Sequence, residues 1–218
     1  MMGQREVWDA IAKQWFHFRQ KPFPDVKYWL DFLLKKPRGK ILEVGCGNCR
    51  NLLEFAKAGF ECYGIDFSEE MLKHANRFCE KHGINIVLKK ANATRLPFKS
   101  NTFDYVLCIA LLHHLKNEER IKAIKEIHRV LKNDGLALFS VWYDKNALKN
   151  SKKIGKKEYL VPWRIDQQLY WRYYYFFSES ELKKFLIDAG FKIFDFSKQK
   201  NLCFVVQKTR RRKNFKKV

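Results

Sequence analysis

Val7, Trp8, Ile11, Trp15 and Phe18 share one face at helical spacing. After the break at Lys21-Pro22-Phe23-Pro24, Val26, Trp29, Leu30 and Leu33 repeat the pattern, so two helices are expected at the start of the chain. From residue 40 the period changes. Short apolar runs at 40–44, 61–65, 84–88, 103–109 and 136–142 read as strands, and helical stripes fall at about 49–57, between Ser68 and Gly83, and at about 118–131. Ser68 suits a helix start, Glu69 and Glu70 suit a first turn, and Gly83 suits a helix end. Strands alternating with helices predict an α/β fold with a mainly parallel sheet and right-handed crossovers.

Residues 144–172 lose this rhythm: lysines interleave with Val161-Pro162-Trp163 and with tyrosines, and the segment reads as an insertion beside the functional site. Ser178 and Glu181 have the spacing of a capping box for a last helix ending at Gly190. Runs at 191–196 and 201–207 predict an antiparallel closing hairpin. The expected organisation is one domain over 1–207: N-terminal helices (1–38), a core (39–142), the insertion (143–177), and a closing helix and strands (178–207). A basic tail, 208–218, follows.

Composition narrows the class. With 46% apolar residues the chain is globular. Its longest apolar run, 105–112, is too short to span a bilayer, so no membrane association is expected. The first residues lack the pattern of a signal peptide, and the cytoplasm is the expected compartment. Cys46 and Cys49 form a CxxC pair, but no second pair stands at a matching spacing, so no metal is expected and the six cysteines read as free thiols. The net charge of +21 is uneven: residues 145–218 hold 20 basic against 6 acidic residues. A field of that kind attracts polyanions and points to a nucleic-acid partner.

The chemistry-bearing segments lie at strand ends. Glu43-Val44-Gly45-Cys46-Gly47-Asn48 is a glycine-rich turn after the first strand, and Asp66 closes the second strand 19 residues after Gly47. That spacing suits a carboxylate accepting bonds from ribose hydroxyls. No lysine-serine or lysine-threonine pair follows the glycines, so the loop is not a phosphate cradle. Ala91-Asn92-Ala93-Thr94-Arg95-Leu96-Pro97-Phe98, followed by Phe103-Asp104-Tyr105-Val106, completes a set that over residues 39–142 resembles the class I S-adenosylmethionine-dependent methyltransferases. The resemblance implies a Rossmann-like seven-stranded sheet with one antiparallel strand and helices on both faces. It implies S-adenosylmethionine as cofactor, with Glu43, Gly45, Cys46, Gly47, Asp66, Phe67, Asn92, Ala93 and Ile109 around it: Asp66 on the ribose, Phe67 on the adenine ring, Asn92 and the Ala93 backbone on the adenine edge. Cys49 and Asn92 stand where many relatives have glycine and aspartate; the Asn92 carbonyl oxygen is expected to accept from the adenine amine.

A narrower resemblance runs along nearly the whole chain. Val7-Trp8-Asp9-x-Ile11-Ala12, Phe18-Arg19-x-Lys21-Pro22-Phe23-Pro24, Ile109-Ala110-Leu111-Leu112-His113-His114, Val141-Trp142, Val161-Pro162-Trp163 and Arg172-Tyr173-Tyr174 resemble the tRNA wobble-uridine carboxymethyl methyltransferases. Phe23 and Tyr175 depart from that pattern, where a tryptophan and a histidine are usual. The resemblance implies methyl esterification of a carboxymethyl group on the wobble uridine of tRNA, aided by a small zinc-binding activator subunit. A carboxylate is already an anion at neutral pH and needs no general base. Arg19 is the candidate for holding a carboxylate, His113 or His114 for orienting the acceptor, and Trp142 and Trp163 for stacking on a base. Arg172, Tyr173, Lys152, Lys153 and the tail residues Arg210, Arg211 and Arg212 are candidates for tRNA contact. Two other readings stay open on the sequence: methylation of a small molecule, and a non-catalytic tRNA-binding relative.

Overall fold

The structure, a computed structural model, describes residues 2–209. Helices α1 (Gln4–Phe18) and α2 (Pro24–Leu33) open the chain. Strand β1 (Lys40–Val44) leads through a 3-10 turn at Arg50–Leu52 into the short α3 (Leu53–Lys57). Then come β2 (Glu61–Asp66), α4 (Glu69–His82), β3 (Ile86–Lys90), β4 (Phe103–Ile109), α5 (Asn117–Val130) and β5 (Leu131–Trp142). The remaining elements are β6 (Lys152–Lys153), β7 (Glu158–Ile165), β8 (Gln168–Tyr175), α6 (Glu179–Asp188), β9 (Phe191–Lys198) and β10 (Asn201–Lys208).

Seven strands form one sheet in the order β3-β2-β1-β4-β5-β10-β9. β1 to β5 pair in parallel, and β10 runs antiparallel to both of its neighbours. Two apolar cores cover the two faces. One joins Phe103, Phe139 and Phe204 to Ile124 and Ile127 of α5 and Leu182 and Leu186 of α6. The other joins Ile41, Leu107 and Leu138 to Trp29 of α2, Phe55 of α3 and Ala75 of α4. The chain reverses direction across the sheet between β1 and β4, and a crevice at the carboxyl ends of these strands is where ligands bind in open α/β sheets.

The structure departs from the sequence reading in instructive places. The irregular 144–172 segment, together with the three residues after it, forms a second sheet, β6-β7-β8, antiparallel throughout. Its tight turn is Asp166-Gln167, with Asp166 at φ +49°, and has no glycine to announce it. Aromatic residues sit on both faces of β8, so strand alternation is invisible there. Phe18 continues the apolar spacing of α1 yet is 58% exposed. The third strand begins two residues later than its apolar run, at Ile86. The Asn133-Asp134-Gly135 turn lies inside β5, where the pairing with β4 shifts register. Lys208, assigned to the tail, ends β10 and is buried, its Nζ donating to Asn101 Oδ1 at 2.8 Å and Leu131 O at 2.7 Å.

Phe139 is fully buried in mid-β5 and packs edge-on against Phe191. Phe139→Ala is expected to cost about 3–5 kcal/mol, read as a lowered urea midpoint with an unchanged slope.

Candidate functional site

A cavity of about 350 Å³ opens at the carboxyl ends of β1, β2, β4 and β5. Its floor is the turn after β1. Gly45 and Gly47 have φ of +74° and +53°, a conformation that disfavours a side chain. Gly47 N donates to Asp66 Oδ2 at 2.9 Å, and Ser68 N donates to Asp66 Oδ1 at 2.9 Å. One carboxylate therefore ties the turn to the start of α4, and each oxygen keeps a lone pair for a ligand. Ser68 Oγ accepts from Met71 N at 3.1 Å as a helix cap and donates to Asp9 Oδ1 of α1 at 2.6 Å. Through Asp9, α1 is fastened across the mouth of the turn, carrying Gln4, Trp8 and Trp15 into the cavity wall.

The acids here are buried. Glu43 accepts from Asn51 Nδ2 at 2.6 Å through Oε1, while Oε2 is buried without a partner. Burial pushes the Glu43 carboxyl up to about 8, against a smaller opposing pull from Arg50. Burial also raises Asp66, to about 6, with its backbone donors opposing. Arg50 is buried against the rings of Trp15 and Phe23, 5.0 and 5.7 Å from their centroids. The unpartnered Glu43 oxygen, the glycine turn and the half-occupied Asp66 carboxylate together fit the amino-acid and ribose parts of a nucleoside cofactor.

The opposite wall is aromatic and cationic. Trp142 N donates to His113 Nδ1 at 3.4 Å, which puts the ring proton on Nε2, a buried atom with no protein partner. His113 stacks on Tyr174, 4.9 Å between centroids. His114 Nδ1 lies 3.0 Å from the Tyr173 carbonyl, so that nitrogen carries the proton and Nε2 the lone pair. Burial and the Arg172 charge hold both imidazoles neutral, His113 well below its ordinary value and His114 at about 3. Arg172 is buried, its guanidinium lying over Trp163, Tyr174 and Trp8 at 4.8, 5.3 and 5.9 Å.

Of the residues singled out in the sequence, Arg19, Glu43, Gly45, Cys46, Gly47, Asp66, Phe67, Asn92, Ala93, Ile109, His113, His114, Trp142 and Arg172 border this cavity. Others do not. Tyr173 is buried on the far face of β8, where its hydroxyl accepts from Arg120 Nη2 at 3.0 Å and donates to Glu158; it braces the hairpin and offers a ligand nothing. Trp163 stands outside the cavity wall, its Nε1 donating to Gln14 Oε1 at 2.6 Å. Lys152 and Lys153 are exposed on β6, and Arg210, Arg211 and Arg212 lie outside the described residues. Arg172, a candidate for tRNA contact, is buried and faces the cavity. Asn92 Oδ1 already accepts from Thr94 N and Thr94 Oγ1, both at 2.9 Å, so the amide nitrogen is the group left for a ligand. Trp8, Trp15 and Tyr174 were missed: on the sequence, apolar spacing made the first two core residues of α1. Among the described residues no group of histidines, cysteines and acids is arranged to hold a metal, and no helix is long and apolar enough to cross a membrane.

Comparison with known proteins agrees with this geometry. Residues 41–135 match the family model described as a methyltransferase domain. A tRNA (carboxymethyluridine(34)-5-O)-methyltransferase of Schizosaccharomyces pombe is 29% identical, over 92% of this chain and 93% of its own. A protein of Encephalitozoon cuniculi named as a methyltransferase is 32% identical over 76% of each chain. Among solved structures, a SAM-dependent methyltransferase of Methanosarcina mazei superposes with a TM-score of 0.71 at 24% identity, covering 87% of this chain and 99% of its own.

The raised carboxyls make a pH prediction. Glu43 and Asp66 hold protons in the empty folded protein at pH values where the unfolded chain has released them, so stability falls as pH rises from about 4 to about 8. Glu43→Gln should flatten most of that decline between about pH 6 and 8, checked by thermal unfolding of the ligand-free protein across that range.

Proposed function

This chain belongs to the class I S-adenosylmethionine-dependent methyltransferases, and we propose that it esterifies the carboxylate of 5-carboxymethyluridine at the wobble position of tRNA. The observation that carries this reading is a cavity lined by buried positive charge and aromatic rings opposite the Asp66 turn, with both histidines neutral. The near full-length match to the fission yeast relative supports the same acceptor.

When bound, S-adenosylmethionine supplies a methyl group on a positively charged sulfur. The chain's residues hold and shield it. Glu43, through its free Oε2, would take the ammonium, and the remaining lone pairs of Asp66 the ribose hydroxyls. Phe67 would pack on the adenine, and Asn92 Nδ2 with the Ala93 backbone would meet its edge. Ile109 closes the apolar side beneath. The acceptor carboxyl, with an ordinary pKa near ~4, arrives ionised and needs no proton removed. His113 Nε2–H can orient it, and Trp142 and Tyr174 exclude water from it. Positioning in a dry pocket is the main source of rate, because both reacting charges shrink as the methyl moves.

Arg19 is exposed at the cavity mouth and would guide the anion in. Trp163, against Phe18 at the end of α1, would stack on a neighbouring base, and Lys152, Lys153 and the tail arginines would meet tRNA phosphates. A small zinc-binding activator would dock along one of the two outermost strands of the sheet, β3 or β9. The setting of this work would be the cytoplasm.

Labelled S-adenosylmethionine and tRNA bearing 5-carboxymethyluridine, with the activator present, test the reading. Label on the wobble nucleoside that mild alkali releases is the expected result. Alkali-stable label would refute the carboxylate acceptor, and absence of transfer by protein that binds the cofactor would refute the tRNA substrate. Asp66→Ala should weaken cofactor binding about 10–100-fold, measured by calorimetry with S-adenosylhomocysteine.

A further inference from the structure

We propose that the Arg172 guanidinium, caged by Trp8, Trp163 and Tyr174 on the inner face of the β7–β8 hairpin, recognises the carboxylate of the methyl acceptor and selects an acid over its neutral amide or ester. The inference rests on the function proposed above and assigns the discriminating residue within it.

Alternation along β8 sets the geometry. Arg172 and Tyr174 point to one face and border the cavity, whereas Tyr173 points to the other, toward Arg120. Arg172 is only 5% exposed. Its Nη1 donates to the Tyr174 hydroxyl at 3.0 Å and its Nη2 to the Pro162 carbonyl at 3.4 Å, both neutral oxygens, and Nε has no partner. Among the described residues it makes no ion pair. Arg19 lies near enough to repel it. A buried cation lacking a counter-ion is costly, and three ring faces offset only part of that cost. An acceptor carboxylate entering between Arg172 and His113 would supply the missing charge.

The arrangement also suits turnover. Two of the guanidinium's nitrogens are engaged by the hairpin, so the fork need not grip both carboxylate oxygens, and one is left to attack the methyl group. After transfer the ester is neutral, and the charge attraction that held the acid is gone. The same guanidinium that favours substrate entry therefore disfavours product retention.

The test is calorimetric, on full-length protein saturated with S-adenosylhomocysteine, comparing the nucleosides 5-carboxymethyluridine and 5-carbamoylmethyluridine. Wild-type protein should prefer the acid by about tenfold or more. Arg172→Gln should abolish the preference while leaving the amide and S-adenosylhomocysteine affinities within about twofold. An acid preference that survives in Arg172→Gln, or that is missing from the wild type, overturns the proposal. A parallel fall in S-adenosylhomocysteine affinity in a folded variant also overturns it, placing the guanidinium on the cofactor instead. If the glutamine variant does not fold, Arg172→Lys decides: the acid should weaken several-fold with the amide unchanged, and an unchanged acid affinity overturns the assignment. Acetate, followed by tryptophan fluorescence, separates this proposal from the tRNA reading. Acetate binding that Arg172→Gln removes keeps the anion site even where wild-type protein fails to methylate the tRNA.

Discussion

The carboxylate of Asp66 holds the site together. It accepts from the turn after β1 and from the start of α4, at 2.9 Å each, and so adds a side-chain link between them to the backbone bonds from Gly45 and Cys46 to the Ile65 carbonyl. Ser68 extends the link to Asp9, and through it α1 is drawn over the crevice. The glycine turn, the start of α4 and the α1 cover thus meet around one buried acid. That burial raises its pKa, so the empty site carries a latent cost that a ligand with hydroxyl and ammonium donors relieves.

Across the cavity the balance is reversed. Cations and rings dominate, and the histidines are kept neutral by their surroundings. A neutral imidazole with its proton on Nε2 can donate a hydrogen bond but adds no charge that would hold a carboxylate too firmly before reaction. Positive charge is left to arginine, which stays ionised even when buried. This division suits an acceptor that is already an anion: attract it, dry it, aim it, and remove no proton.

Much of this was legible in the sequence because it is local. The strand-helix alternation, the glycine turn and the 19-residue step to Asp66 depend on near neighbours and backbone geometry. The Ser68 cap and the Gly83 stop are likewise short-range signals, and both appear in α4. The pieces that were not legible depend on distant packing. The β7–β8 hairpin is aromatic on both faces and turns without glycine, so neither period nor punctuation marked it. Arg172 reads as one more cation for tRNA until the hairpin folds it into the cavity wall. Asn92 reads as an acceptor until Thr94 takes its oxygen. Phe18 matches the apolar face of α1 by spacing but lies past the point where that face meets α4 and β8, beside Trp163.

The central claim is that the pocket works on an ionised acceptor without a catalytic base. The pH dependence of kcat, measured with both substrates saturating, tests it most directly. The account predicts a flat profile from about pH 6 to about pH 9, because the acceptor carboxylate is ionised throughout, neither histidine titrates there, and the ammonium and hydroxyl donors of the bound cofactor hold Glu43 and Asp66 ionised, the two acids that titrate in this range when no ligand is present. A rising limb with a midpoint near neutrality, removed by replacing His113 or His114, would show a base at work and contradict it.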